Sequence, residues 1–449
     1  MCGIIGIYDD KDVSKKLFFG LSCLQHRGQE SAGMSLADGD QIIRKKGMGL
    51  VTDVYNEEIL EELPGHIGIG HVRYSTAGGS HEFNTQPLMA FFKNTTMSLA
   101  HNGNLINYQI LRSRLEEEGM MFQTTIDSEV ILYLISRYNE GDIVEAVKKT
   151  MEMIQGAYAV VLLLEDKLVA FRDPYGIRPL VLGKLHDGGS IVASENAPID
   201  IIGGDFIRNI EPGEIVVIDE EGLHSYEGMG KGRKHCVFEY VYFARNDATL
   251  DGVNSYNFRR RSGEVLYDEA PVDVDLVVAV PDSGIPSAIG YSQASGIPLA
   301  EGLVKNRYMG RTFIKPSQEE REMAVKLKLN PLSHVVKGKS IVLLDDSIVR
   351  GTTSANLIQR LRDAGAREVH MRITSPPVMN PCYYGIDTPS RINLIAANFS
   401  VQEIEEKIGA DSLKFISEEG MVKASKLLGR DDLCMACFNG DYPVDPIVL

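Results

Sequence analysis

The sequence predicts a two-domain protein of mixed α and β structure, with a parallel sheet in its C-terminal half. Its 449 residues exceed the usual size of a single domain. The stretch 227–235 is rich in Gly and basic residues and has no apolar period, which is typical of a linker. Beyond it, the apolar runs 275–280 and 340–344 are typical of strands buried on both faces. We therefore expect domains at residues 2–230 and 231–449.

Short strands alternate with amphipathic helices before the linker. The apolar spacing predicts strands at 4–8, 66–72 and 97–101. It predicts helices at 15–24, 127–137 and 143–153. The apolar runs 157–164 and 168–171 flank a short polar turn, which indicates a β-hairpin.

The elements after the linker follow a different order. A strand at 340–344, a helix at 353–362 that ends near Gly365, and a strand at 369–373 form a β-loop-α-β unit. Such a unit predicts a parallel sheet. The segment 307–328 carries charges but no clear core face, and we expect it to be mobile.

Charge and apolar patterning exclude several classes of protein. The formal net charge is −16, whereas a general nucleic-acid or membrane-surface binder needs a basic face. No apolar run approaches the ~18 residues that span a bilayer. The N-terminus lacks a secretory signal, so we expect a cytoplasmic protein whose six cysteines are reduced, metal-bound or catalytic.

Cys2 is a candidate nucleophile because it follows the initiator Met directly. Removal of Met1 would give Cys2 a free α-amine, whose reference pKa is about 7.7–8.0. Such an amine can take the thiol proton, so that one residue supplies both nucleophile and base. The alternative is a buried position in a first strand.

Four other residues would complete an amidase for an amino-acid amide. Arg73 could bind the substrate α-carboxylate and Asp127 the α-ammonium group. The Asn102 side chain and the Gly103 N–H could donate to the forming oxyanion. Each also fits a plain structural role, as an exposed arginine, a turn Asn-Gly or a helix cap.

Residues 2–230 resemble the glutamine amidotransferase domain of the N-terminal-nucleophile hydrolases. Five motifs in the family's order carry the resemblance: CGIIG from Cys2, LQHRG from Leu24, GHVRYST from Gly70, AHNGNL from Ala100 and DSE from Asp127. The resemblance implies a four-layer αββα fold. It also implies that Cys2 attacks the glutamine side-chain amide, forms a thioester and releases ammonia, with Asn102 and Gly103 at the oxyanion and Arg73 and Asp127 on the substrate.

The stretch 340–354 runs from a strand through DDSIVRGTTS into a helix. Asp345 and Asp346 at the strand end suit a vicinal diol or Mg²⁺. The following glycine and hydroxyl groups lie where a helix begins, a place that favours a phosphate. The string is neither a Walker A nor a G-x-G-x-x-G loop, which excludes a kinase or dinucleotide site; an ordinary acidic loop is the alternative.

This string resembles the 5-phosphoribosyl-1-pyrophosphate (PRPP) loop of type I phosphoribosyltransferases. The resemblance implies that Asp345 and Asp346 hold the ribose hydroxyls and Mg²⁺. It implies a 5-phosphate site made of Ser347, Arg350, Gly351, Thr352 and Thr353. The VPDSG string resembles the pyrophosphate-side loop, with Ser283 near Mg²⁺, and 305–312 resembles the loop that closes over PRPP, with Lys305 at its start. The acidic stretch 318–322 departs from the family's basic pattern, so no ligands are assigned there.

Four cysteines remain to be explained: Cys236, Cys382, Cys434 and Cys437. Their spacing alone is compatible with buried structural thiols, Zn²⁺ or an iron–sulfur cluster. Their positions resemble those of the cluster cysteines in the Bacillus-like subgroup of glutamine phosphoribosylpyrophosphate amidotransferases. This resemblance implies a [4Fe–4S] cluster with a structural and oxygen-sensing role, while Cys23 is expected in the core.

The family resemblance covers nearly the whole chain and implies a reaction. Glutamine and PRPP would give 5-phosphoribosylamine, glutamate and pyrophosphate, the first committed step of purine synthesis. The family also implies a homotetramer inhibited by purine nucleotides. The alternatives are a glutamine-dependent aminotransferase with another acceptor, a non-catalytic PRPP-binding regulator, and a paralogue without glutaminase activity.

Overall fold

The computed structural model describes residues 1–39, 41–74, 78–92, 95–306, 329–388 and 390–446. The predicted mobile segment 307–328 lies outside these residues, as does the closing loop beyond residue 306. The predictions made for that loop therefore concern a part of the chain that is not described.

The N-terminal half is built on two antiparallel sheets. Its strands are β1 Gly3–Tyr8, β2 Ser31–Ala37, β3 Ile42–Met48, β4 Ile67–Arg73, β5 Leu88–Phe92, β6 Thr95–Leu105, β7 Gly156–Leu163, β8 Leu168–Arg172, β9 Val181–Leu185, β10 Ser190–Ala193, β11 Gly204–Asn209, β12 Ile215–Asp219 and β13 Gly222–Tyr226. One sheet has the order β11-β9-β10-β1-β4-β2-β3 and the other β13-β12-β8-β7-β6-β5. The predicted β7–β8 hairpin is confirmed, since the two strands pair antiparallel.

Helices cover the outer faces of these two sheets. Those of the N-terminal half are Ser14–Cys23, Val51–Val54, Glu57–Glu61, Tyr108–Glu117, Ser128–Tyr138, Ile143–Met153 and Ala197–Ile201. An apolar core that includes Ile69 and Val161 fills the space between the sheets. A second core lies beneath the helices that flank β5 and β6. The expected helix–sheet–sheet–helix layering is therefore confirmed.

The C-terminal half contains the expected parallel sheet. The strands of this half are β14 His235–Cys236, β15 Thr249–Leu250, β16 Val253–Asn254, β17 Leu276–Ala279, β18 Leu299–Ala300, β19 Leu303–Lys305, β20 Leu329–Pro331, β21 Ser340–Asp345, β22 Glu368–Ile373, β23 Ser412–Phe415 and β24 Leu433–Cys434. Five of them form a sheet in the order β18-β17-β21-β22-β23, and every neighbouring pair is parallel.

The helices of this half surround the parallel sheet and the chain end. They are Ser255–Glu269, Gly284–Ser295, Ser333–Val336, Thr352–Asp363, Ile395–Asn398, Val401–Ile408, Glu418–Ser425 and Ala436–Asn439. A π-helical turn, Glu239–Phe243, precedes them. The predicted β-loop-α-β unit is β21, the helix Thr352–Asp363 and β22. No helix of the described residues is both long and apolar enough to cross a membrane.

The two halves are packed on each other. The stretch 227–234 has no regular structure, and the N–H of Lys231 donates to the carbonyl of Pro174 at 2.7 Å. One buried apolar cluster contains Leu21 and Ala193 from the N-terminal half together with Tyr240 and Tyr384 from the C-terminal half. The junction is therefore a shared core in addition to a covalent link.

Candidate active site

The pairing of β1 with β4 places Cys2 beside the end of β4. Gly3 pairs with Val72, so Cys2 and Arg73 lie at the same end of the sheet. The Cys2 N–H donates to Asn102 Oδ1 at 3.1 Å, and its thiol lies 3.6 Å from the Tyr74 carbonyl. The Cys2 backbone is thus held against the polar end of β6.

The side chain of Asn102 and the backbone of Gly103 lie beside Cys2. The Oδ1 atom of Asn102 is occupied by the Cys2 N–H, whereas its Nδ2 is buried and has no hydrogen-bond partner among the described residues. The neighbouring Gly103 has φ +149°, and a Cβ there would lie 2.0 Å from the Ala157 carbonyl oxygen. Only glycine fits this strand position, which leaves its backbone close to the site. An unpaired buried donor is costly, and an oxyanion would satisfy it.

The two predicted substrate-binding charges lie in the same pocket. Arg73 forms an ion pair with Glu30 and donates to the Gly79 carbonyl at 3.0 Å. Asp127 does not cap the helix Ser128–Tyr138; its Oδ2 accepts the Leu105 N–H at 2.8 Å. The structure therefore brings a cation, an anion, the thiol and Gly103 together around one small pocket, whose lining is Cys2, Arg73, Tyr74, Gln86, His101, Gly103, Ile126, Asp127 and Ser128.

Gln86 and His101 are lining residues to which the sequence reasoning assigned no role. Gln86 accepts the His101 N–H at 2.8 Å and donates to Ser128 Oγ at 3.1 Å. Burial lowers the pKa of His101, and its Nδ1 lies 3.0 Å from Ser128 Oγ. His101 stands inside a recognised motif, but Gln86 carries no local signal, because the folding of β5 against β6 brings it to the pocket.

The predicted PRPP loop lies at the carboxyl end of β21. Asp345 ends this strand, and the Asp346 N–H donates to Asp345 Oδ1 at 2.9 Å. Ser283 Oγ donates to Asp346 Oδ2 at 2.5 Å, so the loop after β17 meets the loop after β21. Burial raises the pKa of Asp346, and burial together with the charge of Asp346 raises the pKa of Asp345 well above its ordinary value. Two such buried carboxylates suit a bound cation.

The helix Thr352–Asp363 begins at the end of this loop. Its first residue follows Gly351, which has φ +79°, and no side chain caps the helix. The N–H groups of its first turn can therefore donate to a phosphate. Ser347 Oγ donates to Asp346 Oδ1 at 2.6 Å, and Lys305 Nζ lies 2.5 Å from Asp282 Oδ2. Lys305, Ser283 and the phosphate loop therefore lie close to one another at the carboxyl ends of β17 and β21.

The four remaining cysteines converge in space. Cys236 and Cys434 face each other in the parallel β14–β24 pair. The N–H groups of Met379 and Asn380 both donate to the Cys437 carbonyl at 2.9 Å, which brings the segment of Cys382 to the same place. Burial raises the pKa of the Cys236, Cys434 and Cys437 thiols, and the charges of the other cysteines raise it further.

A buried arginine lies beside these cysteines. The charge of Arg178 interacts with Cys236 and Cys382, while its Nε and Nη2 atoms have no hydrogen-bond partner among the described residues. Within the described part of the chain, no group of three or more His, Cys, Asp and Glu side chains could hold a metal ion. None of the six cysteines forms a disulfide.

A buried network of charges joins Cys2 to the C-terminal half. Arg27 Nε donates to the Cys2 carbonyl at 2.9 Å. The other Arg27 nitrogens donate to Glu239 at 2.7 and 3.0 Å and to Glu195 at 2.5 Å. Burial raises the pKa of Glu195, but the charges of His26 and Arg27 outweigh it and leave that pKa below its ordinary value. Arg27 belongs to the LQHRG motif, but no sequence pattern indicated that Glu239 would be its partner.

Comparison with known proteins gives consistent results. A family model for the glutamine amidotransferase domain matches residues 71–200. The chain is 51% identical over 448 residues to the amidophosphoribosyltransferase of Methanothermobacter thermautotrophicus, covering 98% of this chain and 94% of that protein. It is 45% identical over 452 residues to that of Bacillus subtilis, covering 99% and 94%. The structure of B. subtilis glutamine PRPP amidotransferase complexed with ADP and GMP has a TM-score of 0.94 at 44% identity, covering 99% of this chain and 98% of that one.

Proposed function

Because the chain belongs to the amidophosphoribosyltransferase family, we propose a role for each side chain of its two sites. The enzyme is a glutamine-dependent glycosyltransferase of purine synthesis that transfers the amide nitrogen of glutamine to PRPP. The full-length similarity decides against an aminotransferase with another acceptor and against a non-catalytic regulator.

Glutamine hydrolysis is assigned to the pocket around Cys2. Arg73 binds the α-carboxylate of glutamine and Asp127 binds its α-ammonium group. The Cys2 thiol attacks the side-chain amide carbon, and Asn102 Nδ2 and the Gly103 N–H stabilise the oxyanion. Collapse of this intermediate leaves a thioester and ammonia, and water then releases glutamate. The unpaired buried Nδ2 of Asn102 beside Cys2 is the observation that carries this assignment.

The base for this step is the α-amine of Cys2. Removal of Met1 exposes that amine at the position where the Cys2 nitrogen now contacts Asn102 Oδ1 at 3.1 Å. Asn102 would then hold the amine while its other end faces the oxyanion. A neutral amine can accept the thiol proton and pass it to the leaving ammonia. An intact mass lower by one methionine is the expected result for the mature enzyme.

The second half-reaction is assigned to the loops after β17 and β21. Asp345 and Asp346 hold the ribose hydroxyls, while Ser347, Arg350, Gly351, Thr352 and Thr353 hold the 5-phosphate at the helix start. Lys305 and Ser283 lie on the pyrophosphate side. Ammonia attacks C1 as the bond to pyrophosphate breaks. Arg350, Gly351 and Thr352, at the start of the helix Thr352–Asp363, line a described pocket.

Mg²⁺ fits the oxygen donors of this site. Asp345, Asp346 and Ser283 offer hard oxygen ligands, and the raised pKa values of the two carboxyl groups indicate that a nearby cation would stabilise both in their charged form. When bound, Mg²⁺ offsets the charge of the leaving pyrophosphate.

We also propose a [4Fe–4S] cluster on the four cysteines, which the resemblance of their positions to the Bacillus-like subgroup implies. Each cysteine of such a cluster binds a different iron, so its ligands need not surround one shared ion. The unpaired N–H groups of Arg178 and its charge suit an anionic cluster on Cys236, Cys382, Cys434 and Cys437. The cluster would supply a structural and oxygen-sensing element, because the chemistry of both half-reactions needs no electron transfer.

The proposal extends to inhibition of the enzyme, its oligomeric state and the limits of its two domains. The B. subtilis relative is described with ADP and GMP, and we extend inhibition by purine nucleotides to this chain. We also propose a cytoplasmic homotetramer, which light scattering would show as four chain masses. The domains are 2–230 for the glutaminase and 231–449 for the phosphoribosyltransferase.

The test uses wild type, Cys2→Ala and the matched control Cys23→Ala on anaerobically purified enzyme. Cys23 is a buried thiol on the helix Ser14–Cys23, and burial raises its pKa to about 11, so it is a poor nucleophile. Glutamate and pyrophosphate release are measured with glutamine or with ammonium as nitrogen donor. We expect Cys2→Ala to lose only the glutamine-dependent reaction and Cys23→Ala to retain both.

A second pair of variants tests the PRPP site. Asp345→Asn should reduce pyrophosphate release with either nitrogen donor, because both donors use the same acceptor. Asp363→Asn, on the exposed end of the helix Thr352–Asp363, is its control. Glutamine-dependent turnover in Cys2→Ala, or normal pyrophosphate release in Asp345→Asn, would contradict the proposed roles.

A further inference from the structure

The segment 382–386 of the C-terminal half reaches the strand that carries the oxyanion donors. Asn104 Nδ2 donates to the Tyr383 carbonyl at 2.9 Å. Gly385 is buried, and a Cβ built on it would lie 3.2 Å from the carbonyl carbon, 3.3 Å from the oxygen and 3.4 Å from the Cα of Gly103. One hydrogen bond and one close backbone contact therefore fix the peptide that follows Gly103.

This segment is itself firmly anchored. The Cys382 N–H donates to the carbonyl and hydroxyl of Thr388 at 3.2 and 3.1 Å. The Tyr384 N–H lies 3.4 Å from Cys382 Sγ, and the Tyr384 hydroxyl donates to the Val444 carbonyl at 2.5 Å. The loop thus presents a fixed surface to β6, rather than a side chain that could swing away.

Gly103 needs such a support for a physical reason. Glycine has more backbone freedom than any other residue, so nothing in Gly103 itself fixes the direction of its N–H. Oxyanion stabilisation depends on donors that are already in place, and a displacement of about 1 Å costs up to about 100-fold in rate. Gly103 pairs with Tyr158 of β7. Gly385 lies against the Gly103 carbonyl.

We propose that Gly385 and the Tyr383 carbonyl position the oxyanion donors Asn102 and Gly103, so that the C-terminal half completes the glutaminase pocket. Gly385 is a positioning residue, because it touches neither glutamine nor the reacting thiol. This inference rests on the proposed function, in which Gly103 donates to the oxyanion.

Gly385→Ala tests the proposal directly. Gly385 has φ +110°, and the added methyl would press on the Gly103 backbone. We expect kcat for glutamate release to fall about 10- to 100-fold, with the KM for glutamine changed less than about twofold. The ammonium-dependent reaction should be retained, because it bypasses the oxyanion. Gly409→Ala is the control, since Gly409 has φ +74° but no atom within 4 Å of its Cβ position.

Asn104→Ala provides a second variant that leaves Gly385 in place and removes the hydrogen bond to Tyr383. It should lower the same kcat several-fold and spare the ammonium-dependent rate. An unchanged kcat in both variants, or an equal loss of both reactions, overturns the inference alone. Equal glutamate release by wild type and Cys2→Ala overturns the proposed function and the inference with it.

Discussion

Glu239→Gln should destabilise the enzyme far more than the loss of one surface charge would. Arg27 and Glu239 are both shielded from water, with side-chain exposures of 0% and 3%. Arg178 lies 3.6 Å from the same carboxylate, so the change leaves two buried guanidinium groups with Glu195 as the remaining carboxylate of the described network. Breaking a buried pair in this way costs about 3–5 kcal/mol of unfolding free energy.

The assay is urea unfolding followed by circular dichroism, with Glu116→Gln as the control. Glu116 forms an exposed ion pair with Arg112 at 2.9 Å, and such pairs contribute at most about 1 kcal/mol. Midpoint and slope together give the difference in free energy between each variant and wild type. A cost for Glu239→Gln no larger than that for Glu116→Gln would refute the reasoning, because it would mean that Arg27 finds water or another partner.

Three further outcomes are expected. Folding lowers the pKa of Glu195, so its carboxylate stabilises the folded state above its ordinary pKa of about 4.3 and loses this contribution as the pH falls toward the lowered value. The stability difference between wild type and Glu195→Gln should therefore shrink as the pH is lowered below about 4. Gly351→Ala should raise the KM for PRPP about tenfold in steady-state assays, since Gly351 has φ +79°, a backbone conformation that strains any residue with a Cβ. Cys434→Ser should lower iron and sulfide per chain after anaerobic purification, whereas Cys23→Ser should not.

A different result in each experiment would contradict the corresponding prediction. A stability difference for Glu195 that grows on acidification would mean that folding raises its pKa. A normal KM for PRPP in Gly351→Ala would show that the loop adapts to the methyl group. Unchanged iron and sulfide in Cys434→Ser would remove this cysteine from the cluster.

Much of both sites could be predicted because their chemistry is concentrated in short stretches. The DDSIVRGTTS string combines a strand end, two carboxylates and a helix start, and β21 with the following helix confirms that layout. Cys2, Arg73, Asn102 and Asp127 were each ambiguous alone, but their order along the chain resembled one family. The structure places Cys2, Arg73 and Asp127 around one pocket, with Asn102 hydrogen-bonded to the Cys2 N–H, while their roles stay predictions.

Contacts between distant segments could not be predicted in the same way. The strand expected at 97–101 continues to Leu105, because its polar end pairs with β7 rather than ending where the apolar pattern ends. Glu239 shows no local sign of its role, since its partner Arg27 is more than 200 residues away. The support of Gly103 by Gly385 depends on backbone proximity alone, which no side-chain pattern records.

The buried charges at the junction also determine when, during synthesis, the N-terminal half can complete its folding. A chain leaves the ribosome from its N-terminus, and N-terminal domains generally fold first. Here Arg27 and Glu195 emerge well before Glu239 and before the Arg245 N–H, which donates to Glu195 at 3.0 Å. Until those residues emerge, the early sheets carry an incompletely neutralised guanidinium group that resists enclosure. The first half of the nascent chain therefore reaches its final stability only after synthesis has entered the second half.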